Sequence, residues 1–501
     1  MGLYLLVAVS AFAGAPDDAQ RSARLELQIL DSATLLPIAC RVHVLNAEGE
    51  AQRPAGLPFF RDHFVCEGSV DLSLTPGSYS YEIERGPEYE IARDEVTLAT
   101  DQEFLVEVKL RRITNLPERG WFPGDLHVHR PVEDIDLLMR AEDLYVAPVI
   151  TWWNQMNLWT DRPLPADPLV QFDNRRFYHL TGGEDERNGG AFLYFNRNEP
   201  LAIQDADKEW PSPIAFLESK GSDTWIDIEK PFWWDVPVAL AHGFGDSIGL
   251  ANNHMCRSSM YETEAWGKPR DTERLPPPRG NGFWSQEIYY HILNCGFRLP
   301  PSAGSASGVL PNPVGYDRVY VYVSGDFSHE KWWDGLRAGK SFVTNGPLLL
   351  VRADAELPGH VFTADGSIEI ALTAELIARD PISTIEIIKN GTVDRTIPYA
   401  EWKKTHSLGS ISFGESGWFL VRAIADVPHT FRFASTAPFY VETRVTPKRI
   451  SRSSAQFFLD WVNERAGAIQ VENPEHRAEV MQYHETAIQF WQSLVDSANA
   501  R

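Results

Sequence analysis

Between residues 22 and 112 apolar and polar positions alternate in short runs, RLELQIL, CRVHVLN, SVDLSL, SYSYEIE and FLVEVKL, parted by clusters of Gly, Pro and Asp. A period of two places every second side chain on one face, which predicts an antiparallel β-sandwich of about a hundred residues. From 114 to 348 the rhythm changes to near-continuous apolar runs such as LYVAPVI, RFYHLTGG, PVALAHG and SIGLAN, each ending at Gly, His or Asn. Strands buried on both faces read this way, and they belong to parallel sheets or barrels with helical crossovers. Alternation returns over 349–446 (SIEIALTAEL, STIEIIKNG, GWFLVRAIA, PFYVETRV), with a turn at Lys389-Asn390-Gly391, so a second sandwich is expected. Over 452–501 the apolar spacing becomes helical and is broken at Asn473-Pro474, predicting a tail of two amphipathic helices. The expected fold class is multidomain, α/β plus all-β: a central barrel flanked by two sandwiches, with a helical tail.

Composition narrows the classes of partner. A formal charge of -23, with no cluster of Lys and Arg to offset it, argues against binding a phosphate backbone, so nucleic acid is not an expected partner. The first fifteen residues, MGLYLLVAVSAFAGA, are an apolar run ending in small residues, too short to span a bilayer and suited to a signal peptide. Export to the periplasm, cell envelope or medium is the expectation, with no integral membrane span once that segment is removed. Four cysteines make no disulfide scaffold and no zinc knuckle; Cys40 and Cys66 are either buried thiols or, after export, one bridge. Twelve of the sixteen tryptophans fall between 114 and 348, so an aromatic-lined pocket is expected there.

Candidate chemistry begins at GDLHVHRP. In a strand, Asp125, His127 and His129 share one face while Leu126 and Val128 share the other, and two imidazoles so placed can grip one divalent ion. Glu184 follows FYHLTGG, His242 follows VPVALA and His254 follows SIGLANN, each just after an expected strand. In parallel α/β architectures the C-terminal strand ends share one face, so His127, His129, Glu184 and His242 are the expected metal ligands.

These segments resemble the polymerase-and-histidinol-phosphatase (PHP) superfamily, and within it the exported metallohydrolases related to carbaryl hydrolase. The resemblance rests on GDLHVHRP, on GGE at 182–184, on Ala241-His242, and on ILNCGFRLPPSAGSASG followed by GLRAGKSFVTNGP; it covers about residues 118–348. It implies a seven-stranded β/α barrel with up to three ions of zinc, manganese or iron at its C-terminal mouth, while 22–112 resembles a transthyretin-like sandwich. Several of the family's ligand positions are substituted. Thr151-Trp152-Trp153-Asn154 stands where the family reads T-D-H-N, Gly304-Ser305-Ala306-Ser307-Gly308 where it reads G-S-D-x-H, and Gly190-Ala191 where it reads G-H. The resemblance therefore implies a reduced site holding one divalent ion.

The function expected is a metal-dependent hydrolase acting on an ester, amide, carbamate or phosphoester bond. Asp125, Asp185 and His254 are the candidate proton acceptors, with His254 also a candidate substitute ligand. Trp152, Trp153, Asn154 and Arg130 are the candidate substrate-binding residues, for a small-molecule or glycan-like substrate. The alternative is a catalytically degenerate barrel that binds a glycan or small aromatic ligand at the cell envelope. The tryptophans fit either a ligand platform or plain core packing.

Overall fold

Strands Ala23–Asp31, Ser69–Leu74 and Glu103–Leu110 form one sheet of the N-terminal module; Phe59–Phe60, His63–Cys66, Cys40–Asn46, Gly77–Glu84 and Ala92–Leu98 form the other. This computed structural model describes residues 22–500 apart from 204, 205, 220, 222, 445 and 447, so the leader segment 1–15 lies outside the described residues. Burial follows the alternation: Val70, Leu72 and Leu74 are buried while Ser69, Asp71 and Ser73 are exposed. Leu25, Leu27, Ile29, Val42, Val44, Phe64 and Ile83 meet between the two sheets as one core. The pairing departs from purely antiparallel at one place. Ala23–Asp31 runs parallel to Glu103–Leu110, with Arg24 opposite Glu103, because the first and last strands of the module lie side by side and point the same way.

In the central region seven segments close a ring: Trp121–Gly124 continued through Val128, then Val146–Trp153, Arg176–Arg187, Gly190–Phe195, Trp225–Ile228, Ser247–Ala251 and Pro301–Ala303. Closure is made where Leu126 N donates to the Ala303 carbonyl at 3.0 Å and His129 N to the Ser307 carbonyl at 2.8 Å. The ring is mixed rather than wholly parallel. Gly190–Phe195 runs antiparallel to both neighbours, since the turn before it admits no crossover. A Cβ on Gly189 would lie 1.8 Å from the Asp235 carboxylate, and Gly190 has φ +117° against the Trp233 side chain. Helices Ile135–Ala141, Val236–Ala241 and Gly280–Asn294 cover three other connections. The link from Trp153 to Arg176 carries short strands instead.

The run VPVALA, read in the sequence as a strand leading to His242, is the helix Val236–Ala241 with Pro237 in its first turn. His242 therefore sits at a helix end outside the ring.

The second sandwich has sheets Leu348–Ala353, Ile368–Ile377, Ser407–Phe413 and, facing them, Ile382–Lys389, Gly417–Ala425, Phe433–Thr436 and their neighbours. Its expected start at 349 falls one residue inside a strand. It is hydrogen-bonded to the central region: Ser341–Thr344 pairs with Phe433–Thr436 on one side and with Arg318–Tyr322 on the other, which in turn pairs with Trp121–Gly124. The tail forms helices Arg452–Ala468 and Pro474–Ser497. Its Trp491 Nε1 donates to the Pro237 carbonyl at 2.8 Å, and Arg465 ion-pairs with Asp235 (2.7 Å) and Glu209 (2.6 Å). Among the described residues no helix is long and apolar enough to cross a membrane.

Candidate metal centre

The strand that enters the ring at Trp121 delivers His127 and His129 to the same face, and Arg176–Arg187 delivers Glu184 beside them. His127 Nε2 lies 2.9 Å from His129 Nε2 and 3.4 Å from Glu184 Oε2, and His129 Nε2 lies 3.2 Å from that same oxygen. Three donor atoms thus face one point. A tetrahedral ion with bonds of about 2.0–2.2 Å sets neighbouring ligand atoms about 3.3–3.6 Å apart, so the triangle is near the right size and its His127–His129 side would open by a few tenths of an ångström. Two imidazole nitrogens in contact beside a carboxylate need a cation or a proton between them, and the donor set of two imidazoles and one carboxylate suits zinc, manganese or iron. All three side chains are at least nine-tenths buried.

Electrostatics follow from that burial. Burial opposes the charged form of His127, but Glu184 and then Glu229 outweigh it and raise its pKa. Burial likewise opposes ionised Glu184, and His127 and His129 outweigh it, holding the carboxyl well below its ordinary range. Glu229 backs the site: its carboxylate lies 3.4 Å from His127 Nδ1 and accepts from Trp233 Nε1 (2.7 Å), Asn253 Nδ2 (2.8 Å) and the buried Lys230 ammonium. A carboxylate on the far nitrogen of a ligating imidazole fixes its tautomer and orientation.

The three groups open into a cavity of about 320 Å³ walled by Trp153, Trp233, Tyr261, Trp266, His254, Lys230 and Glu186. Trp153 meets His129 edge-on at 5.2 Å, and Trp233 stacks with Trp266 at 4.9 Å. Trp153, Glu186 and Trp266 also border an outer cavity of about 670 Å³ that includes Asn154, Met156 and Asp185. Glu186 shares the Glu184 face, two residues on, and accepts from Trp153 Nε1 at 3.1 Å. Burial, then Glu184 and Glu229, push its carboxyl up to about 8.

Several sequence expectations are corrected here. His242 is not in the cluster: its Nε2 lies 3.0 Å from the Tyr483 carbonyl, against the tail. Asp125 is fully buried, and its carboxylate is spent on Ser305 N and Oγ (3.0 and 2.5 Å), Gly315 N (2.6 Å) and His127 N (3.0 Å). It ties the strand to the 305–315 loop and is not free to accept a proton from substrate. Asp185 alternates to the face opposite Glu184 and pairs with Arg187 at 2.5 and 2.6 Å. Trp152 packs in the core with Nε1 donated to the Thr181 carbonyl at 3.1 Å. Arg130 turns to the N-terminal module, its guanidinium 4.9 Å over the Phe60 ring. His254, by contrast, does line the cavity, between Phe232 and Tyr261; burial, then Lys230, hold its pKa well down, so it is neutral. Asn154 braces the strand end by bonds to the Glu186 backbone (2.7 and 2.8 Å).

Glu186, Glu229, Lys230, Tyr261 and Trp266 were not singled out from the sequence. Glu186 carried a usable signal, since i and i+2 share a face; Glu229 and Lys230 close the strand run TWIDIEK and carried a weaker one.

No family model and no curated protein matches this chain. Among solved structures it is similar over short stretches to a group B streptococcus pilus 2b backbone protein (15% identity, TM-score 0.17, covering 19% of this chain and 43% of that one). It is similar also to the Bacillus anthracis TIE protein (18%, 0.14, 23% and 20%) and to Clostridium thermocellum CbhA fibronectin(III)-like modules (19%, 0.13, 19% and 94%). Likeness at these scores carries no argument about fold or function.

Proposed function

We propose that this chain is an exported metal-dependent hydrolase of the PHP type, cutting an ester, amide, carbamate or phosphoester bond with one divalent ion held by His127, His129 and Glu184. The observation that carries the reading is the convergence of three donor atoms, one from each residue, all within 4.8 Å of one another at the base of an aromatic-walled cavity. When bound, such an ion polarises a carbonyl or phosphoryl oxygen and brings the pKa of a water toward neutrality. Glu229 holds the His127 ring in register through its Nδ1 side. Glu186, fixed by the Trp153 indole and pointing into the same cavity, is the side chain placed to exchange a proton with the leaving group. Trp153, Trp233, Trp266 and Tyr261 exclude water and orient an apolar or ring-shaped substrate.

The stacked Trp233–Trp266 pair also favours a second reading, a barrel that binds a glycan or aromatic ligand without turnover. A His127→Ala, His129→Ala double variant separates the two. Elemental mass spectrometry should show one ion fewer per chain than in the wild type, and hydrolysis of a panel of aryl esters, carbamates and phosphoesters should vanish with it. Equal metal content in both chains would sink the hydrolase. Metal loss with no hydrolysis even in the wild type would leave the binding reading.

A further inference from the structure

The N-terminal sandwich holds a second constellation of ligand type, remote in sequence from the first. We propose that His43, Asp62 and His63 form a separate zinc-class cation site, which clasps the hairpin 59–66 to the strand Cys40–Asn46. It does not depend on the hydrolase reading.

The register brings the residues together. Cys40 opposes Cys66 and Val42 opposes Phe64, so the next step along the ladder sets His43 beside His63, with ring centroids 5.3 Å apart. The turn between the hairpin strands, with Arg61 at φ +56°, lifts Asp62 over both rings. Asp62 Oδ1 lies 2.8 Å from His63 Nδ1 and Oδ2 lies 3.4 Å from His43 Nδ1; one donor atom from each of the three residues falls within 4.8 Å of the others. Both imidazoles are buried, while Asp62 is about half exposed, its side chain 53% accessible. An ion reaches the site from the Asp62 side and keeps open positions toward solvent.

Two buried imidazoles with Nδ1 turned toward one half-exposed carboxylate present the donor set of a cation site. His43 Nε2 is buried without a hydrogen-bond partner whether its ring carries a proton or a cation on Nδ1. Glu82, the register partner of His43, and Glu84 also bring carboxylate oxygens within 4.8 Å of one of its ring nitrogens, and both are themselves paired with Arg257. Two imidazoles and one carboxylate select zinc or a neighbouring transition ion over calcium or magnesium. The clasp has a mechanical consequence: Arg61 Nη2 donates at 3.0 Å to the carbonyl of Val309, a residue lining the first cavity.

The test uses the full-length chain. Zinc titrated by calorimetry into the His127→Ala, His129→Ala protein should still bind at one equivalent. Adding Asp62→Asn, on a half-exposed turn where folding is preserved, should weaken that equivalent by tenfold or more. Cobalt absorption on the double variant alone supplies a readout that needs no change in the sandwich. A double variant that takes up no zinc or cobalt, or an Asp62→Asn change that leaves its affinity where it was, would overturn the site. Failure of the first centre shows separately, as an unchanged wild-type stoichiometry in the His127→Ala, His129→Ala chain.

Discussion

Single atoms decide whether His127 can hold an ion at all. Gly304, on the segment that closes the ring, approaches so closely that a Cβ there would lie 2.4 Å from His127 Cβ and 3.0 Å from its backbone nitrogen. Neither atom is the loose end of a side chain, so Gly304→Ala must displace the strand that carries His127. Displacing a support of a ligating histidine weakens metal binding by about 10–100-fold, and that loss is expected here by zinc titration, with Gly366→Ala, which meets nothing within 4 Å, unchanged as the control. Affinity equal to wild type in Gly304→Ala would show that the close approach of Gly304 does not position His127 for an ion. At this scale His127 and His129 were legible because period-two alternation puts them on one face, and Glu184 because it closes an apolar run, although the strand continues past it to Arg187. The neighbouring Trp152 and Trp153 show the limit of that legibility: alternation sends them to opposite faces, but which face is the wet one depends on Thr181 and Tyr194, distant in sequence.

At the scale of elements, sandwiches and tail were readable because alternation and helical spacing are local. The run VPVALA was not, since six apolar residues suit a buried strand or a buried helix equally, and Pro237 in the first turn was the one local sign of helix. Tertiary packing decides, and it also sets the titration of the interfaces. On the helix Gly280–Asn294, His291 stacks on Phe457 of the tail at 4.3 Å and lies 2.9 Å from Ser454 Oγ, and burial pushes its pKa down to about 4. His179 and His329 are depressed to about 4 by burial as well. In the unfolded chain such groups titrate near about 6.5. Because the folded pKa is the lower one, the unfolded state takes protons first. The stability is whole above about pH 6.5 and is lost as pH falls toward 4, at up to about 1.4 kcal/mol per pH unit for each group. Urea midpoints measured from pH 7 to 4.5 should fall, and His291→Gln should fall less steeply; parallel slopes would refute the assignment.

Across the whole molecule one buried carboxylate reaches all three modules. Glu84, at the end of Gly77–Glu84, meets Arg41 of its own sandwich at 3.0 Å, Arg257 of the central region at 2.9 Å and Arg379 of the second sandwich at 3.1 Å. Burial opposes its charge, and Arg41, Arg379 and Arg257 outweigh that and hold it well below its ordinary range. Arg257 follows the cavity residue His254 by three positions, so the junction also anchors the loop that walls the first site. None of this was legible in a sequence of net charge -23, where an arginine's partner is set only once three modules meet. Removing one member of a buried charged set leaves the others uncompensated, a cost of about 3–5 kcal/mol. Glu84→Gln is therefore expected to lower the unfolding midpoint and to split one thermal transition into two, the N-terminal sandwich melting first. Glu90→Gln, which loses only the exposed pair with Arg111, should leave the transition in place. A single unsplit transition at the wild-type midpoint in Glu84→Gln would mean that the modules are held by their shared strand pairing and apolar contacts, with the arginine cluster contributing nothing to their coupling.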